Sequence, residues 1–217
     1  MRELGEDVWQ LSGKPKNGVN VYVIGDVLID SGTVLDSKRI LDQIRGHSIS
    51  AHALTHAHID HYGSSAKIVK ELGVPMLVGE LDAPAVRIGK MAGAIPGLGE
   101  RMLPAARRCK VDGELKAGDD VAGFEVLFTP GHSPGHVSFW RESDRVLVCG
   151  DVMWGNNPFV LRGDIREPFP VVSVDPALNR DSARRLAALR PELVLFGHGP
   201  PLRDPDAFAR AVDKLAA

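Results

Sequence analysis

The stretch Leu54–Gly63, "LTHAHIDHYG", sets His56, His58, Asp60 and His61 side by side along the chain. In an extended segment residues i and i+2 point to one side, so the imidazoles of His56 and His58 can hold a single ion. The series 56, 58, 61 fits no face of a helix, which weighs against a polar helical stripe. Asp60 and His61 are adjacent and diverge. A turn at that point, which Gly63 permits, would aim them at a second ion beside the first. A lone histidine is more often a surface or packing residue. This cluster reverses that preference and reads as a site for two neighbouring metals.

The residues before and after the cluster decide the architecture. "ISAHALTH" is a strand running straight into it. Upstream, "VNVYVIGDVLIDSG" reads as a hairpin turning at Gly25-Asp26, followed by helical spacing in "SKRILDQIRG" with Gly46 as its stop. Downstream, "SSAKIVKELG" is an amphipathic helix and "VPMLVGE" another strand. The second half repeats this order. "GFEVLFTPGH" is a strand, "VSFWRESDRVLVCGD" a hairpin, and "VDPALNRDSARRLAALRP" a helix with Asp175 as N-cap, Pro176 at N1, and Leu178, Ala183, Leu186 and Leu189 on its apolar face. "ELVLFGHG" is the next strand, and "DAFARAVDKLAA" the last helix. Two such halves pack as two mixed β-sheets face to face with helices outside, which predicts a single α/β domain over residues 1–217, a four-layer αββα sandwich. Residues 82–108 depart from the pattern: Pro84, Pro96 and Pro104 break an apolar segment, and Ile88, Met91, Ile95, Leu98 and Met102 suit a lid over an acyl chain, ordinary packing or a homodimer contact.

The remaining strands supply further ligands at their ends. His132 follows the strand in "LFTPGHSPGH", Asp151 that in "LVCGD", and His198 that in "LVLFGHG". With the cluster this makes five histidines and two aspartates, enough for two ions that share a carboxylate.

"THAHIDH", "TPGHSPGH", "CGD" and "FGHG", in this order, resemble the metallo-β-lactamase-fold hydrolases over nearly the whole chain. The resemblance implies that His56, His58 and His132 hold the first metal, that Asp60, His61 and His198 hold the second, and that Asp151 bridges them. It also implies that Asp30, in "LIDSG", supports the site from behind. His136, in "SPGH", matches a recurring residue beside the ligand loop and suits a hydrogen-bonding role. "HYGSS" departs from the family after the cluster, at a helix start and not at a ligand. His47 and His52 have no place in the scheme and read as surface or packing residues.

Two divalent ions ~3.5–4 Å apart bridge a water and bring its pKa toward ~7. The implied reaction is attack of that hydroxide on an ester, thioester or lactone carbonyl, with Asp60 orienting the nucleophile and accepting its proton. Zinc suits the mixed imidazole and carboxylate set, with iron and manganese as alternatives. Tyr62, Trp154 and Phe159 are candidate walls of the substrate pocket. The resemblance ranks β-lactam hydrolysis low, because those enzymes generally carry an export signal and lack the bridging carboxylate. It also sets aside nucleases, which carry a large insertion, and glutathione thioesters, whose enzymes add a helical C-terminal region. Two other readings compete: a mononuclear-iron enzyme like the persulfide dioxygenases, and a non-catalytic protein that keeps the site for stability. All seven ligand positions being filled favours a dinuclear enzyme.

Composition bounds the partners. The 217 residues are 44% hydrophobic and 25% charged, with a formal net charge of −2, which gives no electrostatic case for nucleic acid or a membrane surface and leaves a small acyl compound as the expected partner. Without an export signal, Cys109 and Cys149 are expected as reduced thiols in the cytoplasm, Cys149 as a small buried hydrophobe.

Overall fold

The computed structural model describes residues 1–93 and 106–215. Two mixed sheets stack face to face. The first runs, in spatial order, β1 (Arg2–Gly5), β2 (Val8–Gln10), β3 (Tyr22–Ile24), β4 (Val27–Ile29), β5 (Ala51–Ala53), β6 (Met76–Gly79) and β7 (Gly113–Leu115). The second runs β12 (Leu193–Phe196), β11 (Val146–Gly150), β10 (Val137–Arg141), β9 (Phe124–Phe128) and β8 (Asp120–Val121). The helices are α1 (Ser37–Gln43), α2 (Ile59–Tyr62), α3 (Ser65–Leu72), α4 (Ala83–Ile88), α5 (Pro176–Ala188) and α6 (Pro205–Asp213), with a 3₁₀ turn at Pro170–Val172.

Strand alternation explains the layering. In the β3–β4 hairpin, Tyr22, Ile24, Val27 and Ile29 face the other sheet and meet Phe124, Val126, Phe139, Val148 and Leu195. Val23 and Leu28 point the opposite way and pack on Ile40 of α1 and Ile68 of α3. On the far side Leu147, Cys149, Val194 and Phe196 pack against Ala183 and Leu186 of α5 and Phe208 and Val212 of α6. Both faces of each sheet are therefore covered, and the strands read as near-continuous apolar runs.

The duplicated order expected from the sequence is present. Strand β4 turns back from β3 across Gly25 and Asp26, passes into α1 and pairs parallel with β5. In the same way β11 turns back from β10 and pairs parallel with β12 after α5. Strands β4, β5 and β6 thus run in one direction, and so do β9, β11 and β12. Their C-terminal ends gather at one edge of the sandwich, and every candidate ligand follows one of them.

Two local readings need correction, and a third, that of His52, is narrowed to one of its two alternatives. The segment beginning at Asp82 is not broken from its start, because Pro84 lies in the first turn of α4, where no intrahelical N–H bond is lost. Ile88 is exposed and Met91 packs on the α4 cluster, while Ile95, Leu98 and Met102 lie outside the described residues. Helix α5 starts as expected, with the Asp175 carboxylate accepting the Leu178 N–H. Its buried face, however, is Asn179, Ser182, Ala183 and Leu186, and Leu178 is exposed. His52 is a packing residue. Its Nδ1–H donates to the Leu28 carbonyl at 3.0 Å, so its Nε2 accepts the Ser65 hydroxyl at 2.8 Å.

Candidate metal centre

The cluster leaves β5 as extended chain and turns at α2. His58 sits at the N-cap in extended conformation, and one helical turn then brings His61 back under it. Asp60 remains partly exposed while His56 and His61 are fully buried. His132 sits in the loop after β9, Asp151 directly after β11, and His198 after β12.

The seven residues converge in overlapping groups. His56, His58 and His132 form one, with ring centroids 4.5–4.8 Å apart. Asp60, His61 and His198 form the other. Asp151 lies between them: its Oδ2 is 3.5 Å from His132 Nε2, 3.6 Å from His61 Nε2 and 3.2 Å from His198 Nε2.

Hydrogen bonds at the back of the rings fix which nitrogen faces inward. His61 Nδ1 donates to Asp30 Oδ2 at 2.9 Å, and His198 Nδ1 donates to the Gly18 carbonyl. Thr55 gives its single hydroxyl hydrogen to Asp30 at 2.8 Å, so it can only accept from His56 Nδ1, at 3.0 Å. His132 Nδ1 is paired with the Ser173 hydroxyl at 3.2 Å. In His56, His61 and His198 the Nε2 atom is therefore the inward one, and the Nε2 atoms of His61 and His198 stand only 3.2 Å apart.

Such a set calls for a cation. Buried His56 Nε2, His132 Nε2 and Asp151 Oδ1 have no hydrogen-bond partner, although an unpaired buried polar atom costs about 1–3 kcal/mol. Burial holds the imidazoles of His56, His58 and His132 below the ordinary histidine range, as neutral donors. Burial alone would push Asp151 up and His198 down. The attraction between them outweighs it, holding Asp151 well below the carboxylate range and His198 up at about 10. His61 is raised in the same manner, mainly by Asp151 and Asp60. Ionised carboxylates facing nitrogens that would carry protons are the arrangement that divalent ions replace.

The supporting residues are as specific as the ligands. Asp30 takes the left-handed conformation (φ 60°), accepts the Thr55 N–H at 2.8 Å and thereby orients both His56 and His61. His136 uses both nitrogens: Nδ1 meets Thr129 Oγ1 at 2.9 Å and Nε2 accepts the Asp151 N–H at 3.0 Å, which leaves neither for an ion. Burial pushes it down to about 3, the neutral form that this acceptor role requires. Gly197 explains the glycine of "FGHG", since a Cβ there would lie 2.0 Å from Asp151 Oδ1 and 2.8 Å from His61 Cε1.

Several contributors were not singled out in the sequence. Tyr22 and Asn20 reach across from the first sheet, donating to the Phe196 carbonyl at 2.8 and 2.9 Å, and Asn20 also donates to the Gly199 carbonyl at 2.7 Å, which pins the His198 loop. From α5, Asn179 donates to the Val152 carbonyl and Ser182 to the Pro130 carbonyl, steadying the Asp151 and His132 loops.

The three expected pocket walls fare differently. Trp154 packs its ring 5.4 Å from His198, and Phe169 and then Phe159 continue the series outward at 5.6 and 5.8 Å. Phe159 is 75% exposed at the end of this ladder. Tyr62 is not a wall. It is buried in the α4 cluster with its hydroxyl on the Lys90 carbonyl at 2.6 Å, because α2 turns it away from the face that His61 presents.

The sequence model of the metallo-β-lactamase superfamily matches residues 15–198. The chain belongs to this superfamily. Membership supports a metal-dependent hydrolase, and the histidine–aspartate cluster supports divalent metal binding. Among relatives within the superfamily, a probable metallo-hydrolase of Bacillus subtilis, YflN, is 27% identical over 81% of this chain and 76% of its own length. The hydroxyacylglutathione hydrolase GloC of Haemophilus influenzae is 27% identical over 79% of each chain. The crystal structure of TTHA1623 in a di-iron-bound form superimposes with a TM-score of 0.67 at 30% identity and covers 96% of both chains. The superfamily fold is also that of BLEG-1, a B3 metallo-β-lactamase, with a TM-score of 0.72 at 24% identity over 92% of this chain and 95% of that one. Among the described residues, no helix is long and apolar enough to cross a membrane.

Proposed function

We propose that the protein binds two divalent metal ions and hydrolyses an ester, thioester or lactone of small size. His56, His58 and His132 would hold one ion, Asp60, His61 and His198 the other, with Asp151 shared. The observation that carries this reading is the position of Asp151 Oδ2, within 3.6 Å of inward-facing nitrogens from both groups. When bound, such a pair of ions polarises a carbonyl oxygen and supplies hydroxide near neutral pH.

The chain's own residues then divide the work. Asp60, the partly exposed member of the set, is 3.4 Å from His198 Nε2 and 3.7 Å from His61 Nε2, and is held ionised by those histidines against the opposing effect of burial. It is suited to orient a nucleophilic water and accept its proton. Neither cysteine competes as a nucleophile: burial pushes the Cys109 thiol up to about 11 and the Cys149 thiol up to about 12. Trp154 sets an apolar ring 5.4 Å from His198 on that side of the site, which suits an acyl group. Zinc fits the donor chemistry, and the di-iron form of TTHA1623 makes iron the leading alternative.

The test is a panel of acyl thioesters, lactones and aryl esters, with glutathione thioesters included because of the name that GloC carries. Metal-loaded protein should turn over at least one class, chelated protein none, and Asp60→Asn should lower kcat by roughly 10²–10⁴-fold if it is the general base. Oxygen uptake on a persulfide by a one-iron protein, without hydrolysis, would overturn the reading.

A further inference from the structure

Asp30 and Asp82 hold matching places in the first sheet. Each follows a strand that points at the site, and each carboxylate is buried. Asp30 orients His61 directly and His56 through Thr55. No motif singles out Asp82, which lies just before α4, yet its carboxylate is fully engaged. Its Oδ2 accepts the Ala57 N–H at 2.8 Å and the Ser133 hydroxyl at 2.7 Å, and its Oδ1 accepts the Gly135 N–H at 2.6 Å.

Those donors are not scattered. Ala57 lies between His56 and His58, Ser133 follows His132, and Gly135 ends the same loop. One carboxylate on the first sheet therefore grips the loop carrying His58 and the loop carrying His132, which comes from the opposite sheet. The approach is close: a Cβ on Gly135 would lie 2.3 Å from the Asp82 nitrogen.

We infer that Asp82 is a positioning residue for the first metal position, clamping the His58 and His132 loops at the spacing an ion requires. This rests on the metal reading proposed above. Losing a carboxylate that orients metal ligands from behind typically costs about 10–100-fold in metal affinity. Replacing Asp82 with asparagine puts an amide N–H₂ against at least one of three hydrogen donors, so at least one grip is lost.

The experiment is titration of the chelator-stripped, full-length protein with Co(II), read by its visible absorption and by competition with a chromophoric chelator. Reference variants are His132→Ala for the first position and His198→Ala for the second. Wild type should bind two ions. D82N should weaken one ion by about 10–100-fold, give an isotherm like that of H132A and leave the other ion near its wild-type affinity. D82E should recover part of the loss. Ser133→Ala, which keeps both backbone grips and cannot disturb folding as strongly, should show a smaller loss at the same position. It carries the test if D82N does not fold. Variants that bind both ions like wild type overturn the clamp and leave the metal reading standing. Equal losses at both positions with a lowered metal-free melting temperature also overturn the clamp and make Asp82 merely structural. A wild type that takes up no ion refutes the metal reading, and the clamp falls with it.

Discussion

Substituting Gly197 with alanine adds one methyl group and alters no ligand, yet it should disable the centre. The Cβ would lie 2.0 Å from Asp151 Oδ1 and 2.8 Å from His61 Cε1, against an ordinary contact of about 3.5 Å. A displacement of roughly 1.5 Å at Asp151 Oδ1 is therefore required. The backbone of residue 197 cannot easily supply it, because Asn20 N–H is bonded to the Gly197 carbonyl at 2.8 Å and Gly197 N–H to the Gly150 carbonyl at 2.9 Å. Asp151 must move instead, and its Oδ2 leaves the point 3.2–3.6 Å from three ligand nitrogens. Overpacking of this kind costs about 1–3 kcal/mol of stability, and a misplacement of ~1 Å costs about 10²-fold in rate. The assay is metal content by plasma mass spectrometry, with kcat/KM on whichever acyl substrate the panel identifies and a thermal melt of the stripped protein. A G197A protein that retains full metal occupancy and full activity would refute the bridging position of Asp151.

Other expectations follow from the same geometry. Tyr62→Phe should lower stability by about 1 kcal/mol in urea unfolding through loss of the bond to the Lys90 carbonyl, while KM stays unchanged; a raised KM with unchanged stability would return Tyr62 to the pocket. His52→Leu removes the ring that bonds the Leu28 carbonyl and the Ser65 hydroxyl, leaving Ser65 only its contact with Ser31 Oγ at 2.9 Å, and should cost about 1–3 kcal/mol without changing the number of ions bound. Because Asp151 and Asp60 hold His198 protonated up to about 10, and hold His61 up as well, an ion arriving near pH 7 must expel protons. Apparent affinity should then rise with pH, by about tenfold per pH unit for each proton released. Calorimetry in two buffers of different ionisation enthalpy measures that number, and a value of zero contradicts the protonated resting state.

Much of this structure was legible in the residues. The hairpin of β3 and β4 shows as an apolar run broken by Gly25 and Asp26, and both of its faces are buried. The ligands were legible because their residue types are unusual at strand ends and because they cluster. What escaped the reading lacked such signals. Strands β1, β2, β7 and β8 are two to four residues long and partly polar, too short for alternation to register. Pro84 reads as a breaker unless its place in the first turn of α4 is known. Tyr62 follows His61 directly, and only the single turn of α2 sends the two side chains to different sides. Asn179 and Ser182 look like solvent-facing helix residues, but they are buried because the loops behind the ligands have carbonyls that need donors. Asp82 is one aspartate among many until the fold brings Ala57, Ser133 and Gly135 to it.

The most direct test is the metal content of wild-type protein purified without added metal and measured per chain by plasma mass spectrometry. Two divalent ions per chain, or uptake of two by stripped protein, is the predicted result. A folded protein that neither carries nor takes up any ion would contradict the metal centre, and with it the hydrolytic function proposed for this chain.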